Sequence, residues 1–373
     1  MIQKNEHGVQ NVQRGFGKMS DFIIKDYRIG KSILIDRHGN NCFIIAELGH
    51  NFGAGPGRLD RACAMIKRAA ECGADAVKIQ TRTNATLYTD RFYNAPYASE
   101  SAFASTYGEH RKALELGVGE IAILQAVAQK AGIMLFSTAF DEEAATLLHD
   151  KFNMPAFKIA SGSLVDFNLL KHIASFGKPM IVSTGGYDTE DVSRAVEYLQ
   201  SLNAHFALLH CVAAYPVKPE DMNLRVISWM REAFPDVVIG LSDHYNGTVS
   251  APIAYMLGAR IIEKHFTLDH TWKGTDNAFS LEPEGFRKMV RDVRRTSIML
   301  GDGIKKVLES EKAPVRKMAR SPYAAHDILF GDVIDPEDVE LKTPADGIAA
   351  WKVEKLVGKK AKKCFEKGEA LST

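Results

Sequence analysis

From Cys42 onward the chain alternates short apolar runs with longer stretches whose apolar residues recur every three to four positions. A compact apolar run bounded by Gly, Asn or Asp is the pattern of a strand buried on both faces, and the three-to-four spacing is that of an amphipathic helix. Eight such runs stand out: FIIAE (43–47), AVKIQ (76–80), IMLFS (133–137), AFKIA (156–160), MIVST (180–184), FALLH (206–210), VVIGLS (237–242) and RIIEKH (260–265). Helical stretches such as GRLDRACAMIKRAAECG, DEEAATLLHDKF and PEGFRKMVRDVRRTSIMLG follow most of them, and several end in glycine, a common helix stop. Eight strand–helix repeats predict an α/β fold, a closed (β/α)8 TIM barrel in preference to an open sheet.

The pattern changes at both ends and in one connection. Residues 1–20 are polar and read as a loose tail, and DFIIKDYRIG with SILIDRHGNNCF reads as a small β-hairpin, so 21–302 is expected to hold hairpin and barrel. Residues 303–320 are basic and polar, like a linker, and 321–373 has its own turn signals, like a small β-rich domain. Between Thr81 and Gly117 the connection is long, aromatic and rich in Ala and Ser, as a lid, a binding loop or an oligomer contact would be.

Charge narrows the function. With 47 basic and 46 acidic residues the formal net charge is +1, which gives no general attraction to nucleic acid or an anionic membrane, so an anionic ligand has to be held locally. The five cysteines are scattered without CxxC spacing, and neither a signal peptide nor a run of ~18 apolar residues is present, so the expectation is a reduced, soluble, cytoplasmic protein.

In such barrels the chemistry sits at the carboxyl ends of the strands. The polar residues there are Glu47, Lys78, Gln80, Ser137, Lys158, Ser161, Ser183, Thr184, His210, Ser242, Asp243, His244, Glu263 and His265. Two lysines beside hydroxyls and the glycine turns ASGS and STGG suit a phosphate or carboxylate. Lys158 alone could be a Schiff-base nucleophile, an anion clamp or a strand residue with a solvated tip. His244 and His265 end consecutive strands and could share a divalent metal, with Glu47 or water completing the shell. His210 could equally be a core histidine bonded to a carbonyl.

The ordered set IIAELGHN, GADAVKIQT, FKIASGS, IVSTGG, LLHCVAAYP, IGLSDH and IEKHFTLD resembles the sialic acid synthase family, the phosphoenolpyruvate-dependent nonulosonic acid synthases. ARSPYAAHDILFGDVIDPEDV and LVGKKAKKCFEKGEAL are similar to that family's C-terminal SAF (antifreeze-like) domain, a β-clip. The resemblance implies a domain-swapped homodimer, a divalent cofactor (Mn²⁺ or Mg²⁺), and condensation of phosphoenolpyruvate with an aldose such as N-acetylmannosamine. It implies that Lys78, Gln80, Lys158, Ser161, Ser183 and Ser242 hold phosphoenolpyruvate and that His244 and His265 bind the metal with Glu47 beside it. Tyr215 would line the site and Asp276 would bind sugar hydroxyls.

Four positions depart from the family pattern. Ser163 stands where many relatives carry a carboxylate proposed as acid or base, so Glu47, a bound water or Asp166 would have to serve. Val212 and Ala213 replace Thr-Asn or Thr-Ser after the His-Cys pair, Phe52 replaces a histidine, and Thr343 stands where many synthases present an arginine to the sugar. The last change leads to the expectation that the acceptor is not plain N-acetylmannosamine. Two other readings remain: a Schiff-base pyruvate aldolase using Lys158, and a non-catalytic sugar-phosphate-binding member of the family.

Overall fold

The computed structural model describes residues 22–25, 27–29, 34–35 and 42–372, so the tail expected over 1–20 lies outside the described residues. Eight parallel strands close on themselves: β4 (Phe43–Gly49), β5 (Ala76–Thr81), β6 (Met134–Ala139), β7 (Phe157–Ile159), β8 (Met180–Ser183), β9 (Phe206–Cys211), β10 (Val238–Asp243) and β11 (Ile261–His265), with β11 pairing back onto β4. They follow three short strands, β1 (Phe22–Ile24), β2 (Tyr27–Ile29) and β3 (Leu34–Ile35). Each predicted run is a strand within two residues at either end, and the TIM barrel expected from them is present.

Alternation along each strand divides the barrel in two. Ile44, Ala46, Val77, Leu135, Phe157, Val182, Leu208, Ile239 and Ile262 belong to the large core that also takes in the surrounding helices. Their neighbours Phe43, Ile45, Ala76, Met134, Phe136, Ala156, Ile181, Ala207, Leu209, Val238 and Ile261 fill the lower interior as a second apolar cluster. Space there is tight: a Cβ on Gly240 would lie 2.4 Å from both the Ile261 carbonyl oxygen and Leu209 Cδ2. One step further along the same strands the inward positions become Glu47, Lys78, Thr138, Lys158, Ser183, Ser242 and Glu263, so a dry plug supports a charged layer.

The predicted hairpin is a three-stranded antiparallel meander, β1 (Phe22–Ile24), β2 (Tyr27–Ile29) and β3 (Leu34–Ile35). The first run divides because Lys25, at φ 50, turns the chain back. Phe22 and Ile24 join the apolar plug, and the Ile23 N–H donates 3.3 Å to His205 Nε2.

The connection after β5 is folded rather than open. It forms helices Asn84–Leu87, Asp90–Tyr93 and Tyr107–Leu114, and the rings of Tyr88, Phe92 and Tyr97 surround Tyr107 at 5.3, 4.5 and 5.4 Å.

Gly301–Thr373 is a separate compact unit. The segment 303–320, which resembles a linker in sequence, carries the helix Glu309–Met318. Beyond it β12 (Ser321–Ala324) pairs antiparallel with β13 (Val339–Lys342) over a core of Ala324, Ile328, Ile334, Leu356, Ala361, Phe365 and Leu371. Among the described residues no helix is long and apolar enough to cross a membrane.

Phe22→Ala should open a void under the barrel and lower unfolding stability by about 3 kcal/mol in urea titration. A change within error would show that the meander does not support the barrel floor.

Candidate active site

The carboxyl ends of the strands open into a cavity of about 540 Å³, lined by Glu47, Lys78, Gln80, Lys158, Ser161, Ser183, Tyr215, Ser242, His244, His265 and Asp276. Every site residue expected from the sequence is therefore in one place. Register explains the convergence: His265 is level with Glu47, Glu47 with Lys78, and Lys158 with Thr138.

At the base of the cavity two lysines meet two glutamates, all almost fully buried. Lys78 Nζ lies 2.6 Å from Glu47 Oε2 and 3.7 Å from Glu263 Oε1, and donates 2.7 Å to Thr138 Oγ1. Lys158 Nζ donates 2.6 Å to Ser183 Oγ and 2.9 Å to the Ile159 carbonyl, 4.0 Å from Glu263 Oε1. The two carboxyl groups are driven apart. Burial raises Glu47 above its ordinary value despite the Lys78 ammonium. Burial also pushes Glu263 up, but Lys158 and Lys78 together outweigh it and hold Glu263 low. Burial lowers Lys158. Separation of two carboxyl groups by environment is how acid and base roles are divided.

Next to the lysines the ASGS and STGG turns form a cradle. The Gly185 N–H donates 3.0 Å to Ser161 Oγ, and a Cβ on Gly185 would come within 2.9 Å of that oxygen and 3.0 Å of Cys211 Sγ.

Each of the two histidines keeps a ring nitrogen free. His244 Nδ1 donates 2.8 Å to the Val212 carbonyl, which fixes the tautomer and leaves the Nε2 lone pair available. His265 Nδ1 and Glu263 Oε2 are buried without a hydrogen-bond partner, and Glu47 Oε2 meets the Lys78 ammonium at 2.6 Å. The two imidazole rings are 5.3 Å apart, and burial lowers the pKa of His265, favouring the neutral form that a ligand requires. Among the described residues no group of three or more His, Cys, Asp or Glu side chains is arranged to hold a metal ion, so the two imidazoles would need water or substrate atoms beside them. Tyr215 covers His244 at 4.2 Å between ring centres, and Asp276 Oδ2 is 3.7 Å from His265 Nδ1.

Other sequence readings resolve differently. His210 Nε2 donates 2.8 Å to the Met222 carbonyl and serves the core. Asp166 does not turn toward the cavity; it caps the helix Phe167–Ala174 through the Leu169 N–H at 3.1 Å. Ser163 is not among the cavity-lining residues, and Ala213 is. Asp243 faces away and pairs with Lys264 at 2.9 Å.

Sequence reasoning missed Arg82 and Arg111, which also line the cavity, and gave Glu263 no role. Arg82 anchors a relay. Its Nη2 donates 2.6 Å to Gln80 Oε1, and Gln80 Nε2 donates 2.7 Å to Glu47 Oε1. Because a guanidinium only donates, the amide orientation of Gln80 is fixed by it. Arg82 follows β5 directly and could have been found by extending that strand; Arg111 lies much further along a connection without periodic pattern.

Comparison with known proteins agrees with this architecture. The NeuB family profile matches residues 65–305 and the SAF domain profile matches 319–373. The chain is 37% identical over 331 residues to the human N-acetylneuraminate-9-phosphate synthase, covering 88% of this chain and 91% of that protein. It is 38% identical over 342 residues to a Campylobacter jejuni pseudaminic acid synthase, covering 88% and 95%. The structure of N-acetylneuraminic acid synthetase from Leptospira borgpetersenii, solved with citrate, superposes with a TM-score of 0.64 at 32% identity, covering 76% of this chain and 92% of that one. A family match over most of the barrel, with relatives of this identity and coverage, shows that the chain belongs to the NeuB family.

Proposed function

We propose that this chain condenses phosphoenolpyruvate with an aldose to give a nonulosonic acid, a 3-deoxy-2-keto sugar acid, and inorganic phosphate. The observation that carries the reading is the buried Lys78–Lys158 pair beside the Ser161, Ser183 and Ser242 hydroxyls, within one cavity that also holds His244 and His265. Relatives named as synthases of N-acetylneuraminate 9-phosphate and pseudaminic acid support the product class.

In this reading the lysines and serines hold the phosphate and carboxylate of phosphoenolpyruvate in a dry, preorganised setting, which stabilises charge as it moves. C3 of phosphoenolpyruvate attacks the aldehyde carbon, forming the C–C bond while the aldehyde oxygen gains a proton. Water adds to the electron-poor C2 and loses a proton. The C2–O bond to phosphate then breaks as the C2 hydroxyl gives its proton to the departing phosphate, releasing phosphate and leaving the ketone. Glu47, with its raised pKa, is the acid that delivers a proton to the aldehyde oxygen, a role Ser163 cannot take. His244 and His265 would hold the divalent ion, which supplies Lewis-acid polarisation of the aldehyde when bound. Imidazole donors favour Mn²⁺ over the harder Mg²⁺.

One observation favours a second reading: a buried lysine with a lowered pKa, such as Lys158, is also what a Schiff-base enzyme uses. Its Nζ, however, is already committed to Ser183 and a carbonyl, an ammonium-like arrangement.

Phosphate release from phosphoenolpyruvate with a panel of aldoses should depend on Lys78 and Lys158, with methionine at either position lowering kcat/KM by roughly 100-fold or more. Borohydride trapping of pyruvate on Lys158 would instead establish the aldolase. Chelation should abolish release, Mn²⁺ should restore it better than Mg²⁺, and His265→Ala should weaken Mn²⁺ binding read by electron paramagnetic resonance; retained affinity would remove the histidines as ligands. The family resemblance further leads us to infer a homodimer, for which light scattering should return twice the chain mass.

A further inference from the structure

Two arginines line the cavity, and their surroundings differ. The charge of Arg82 is matched: Nη1 is 3.2 Å from Glu115 Oε1, its backbone N–H donates 3.0 Å to Glu115 Oε2, and its guanidinium lies 3.8 Å over the Phe140 ring. With Nη2 given to Gln80, its main donors are in use. Arg111 is different. Its Nε donates 3.0 Å to Tyr107 Oη, and among the described residues neither Nη1 nor Nη2 has a hydrogen-bond partner and no carboxylate lies within 4.0 Å. The field of Asp276 reaches it from beyond that distance.

This guanidinium is held in place. It belongs to the helix Tyr107–Leu114, whose first residue is enclosed by the rings of Tyr88, Phe92 and Tyr97. The same helix packs closely enough on Tyr93 that a Cβ at Gly108 would fall 2.2 Å from that ring. A half-buried, fixed guanidinium with two free Nη groups on a cavity wall is suited to a bidentate oxyanion. The lysine pair at the base already accounts for phosphoenolpyruvate, and its charges are matched by Glu47 and Glu263; Arg111 is the guanidinium without such a match.

The geometry points to Arg111 as the residue that recognises a phosphate ester on the acceptor, so that the substrate is an aldose phosphate entering with its aldehyde toward Glu47 and its phosphate toward the connection after β5. The inference rests on the condensation reading above and names the acceptor class that reading leaves open. An acidic sugar bearing a carboxylate would offer the same oxyanion chemistry, and the test separates the two.

The experiment measures phosphate release with matched acceptors: each free hexosamine, its 6-phosphate, and the corresponding uronic acid. The wild type should prefer the 6-phosphate over the free sugar by about 100-fold or more in kcat/KM, below the ~10⁴-fold of a fully buried polar site because Arg111 is only half-buried. Arg111→Leu should bring that ratio near one without raising the KM for phosphoenolpyruvate. Arg111→Lys should keep part of the preference, and Lys112→Leu, an exposed neighbour on the same helix, all of it. A wild-type preference for the free sugar or the uronic acid, an unchanged ratio in Arg111→Leu, a raised KM for phosphoenolpyruvate, or an equal loss on both acceptors in both Arg111 variants would each overturn the assignment. Release with free sugars would leave the condensation standing in those cases; silence with every acceptor would overturn both.

Discussion

Two ammonium groups are enclosed in the barrel with two carboxylates, and the rest of the site is arranged around that balance. Removing an ion from water costs several kcal/mol unless a partner and hydrogen bonds offset it. Lys78 reaches Glu47 and Glu263 together, and Lys158 reaches Glu263 and Ser183. These groups come from β4, β5, β7, β8 and β11, and Glu263 meets Lys78 only because β11 closes onto β4. Closing the barrel and assembling the charge cluster are thus one event. The apolar plug of Phe43, Ile45, Phe136 and their neighbours beneath it keeps the lysines from water below.

The same balance links the proposed substrate to the proposed cation. The glutamates match the lysines in charge. An anion that takes the lysine charge for itself leaves Glu47 and Glu263 needing another positive partner. Glu263 Oε2 and His265 Nδ1 are buried there without hydrogen bonds, Glu47 Oε2 faces the Lys78 ammonium that the anion would claim, and His244 offers a free Nε2. Anion and divalent ion would therefore favour each other's binding, by charge compensation rather than by movement of the protein.

How much of this was legible follows from periodicity. In a closed parallel sheet the inward positions alternate, so a polar residue ending an apolar run, such as Lys78, Ser183 or His265, faces the cavity and announces itself. The eight strands and the strand-end residues that line the cavity were readable for that reason, whereas Tyr215 and Asp276, which lie in loops, came only from the family resemblance. Arg111 was not, because its helix follows two short helices and a bridge between Pro96 and Thr106, and no regular spacing marks which side chain turns inward. Asp166 and His210 were ambiguous because a cap and a core hydrogen bond use the same residue types as catalysis, and only the partners, Leu169 N–H and the Met222 carbonyl, decide. The split of the first hairpin run depended on one residue, Lys25, adopting positive φ, for which lysine gives no signal.

In the proposed reaction, proton transfer and acceptor choice would fall to different parts of the molecule. Ser163 has no carboxylate and Asp166 is occupied as a cap, so among the strand-end groups Glu47 alone combines a raised pKa with contact to the reacting layer. Its orientation is set through Gln80 by Arg82, and Arg82 is in turn held by Glu115 at the end of the helix that carries Arg111. The connection after β5 therefore reaches the cavity twice, once through Arg82, which orients Glu47 by way of Gln80, and once through Arg111, which would meet the proposed acceptor. A substitution within it that displaces the helix Tyr107–Leu114 disturbs both, whereas a change confined to the guanidinium of Arg111 disturbs only the second. Acceptor preference in this chain can then vary at Arg111 while the charge cluster at the barrel's base, which cannot change one member without stranding another, stays fixed.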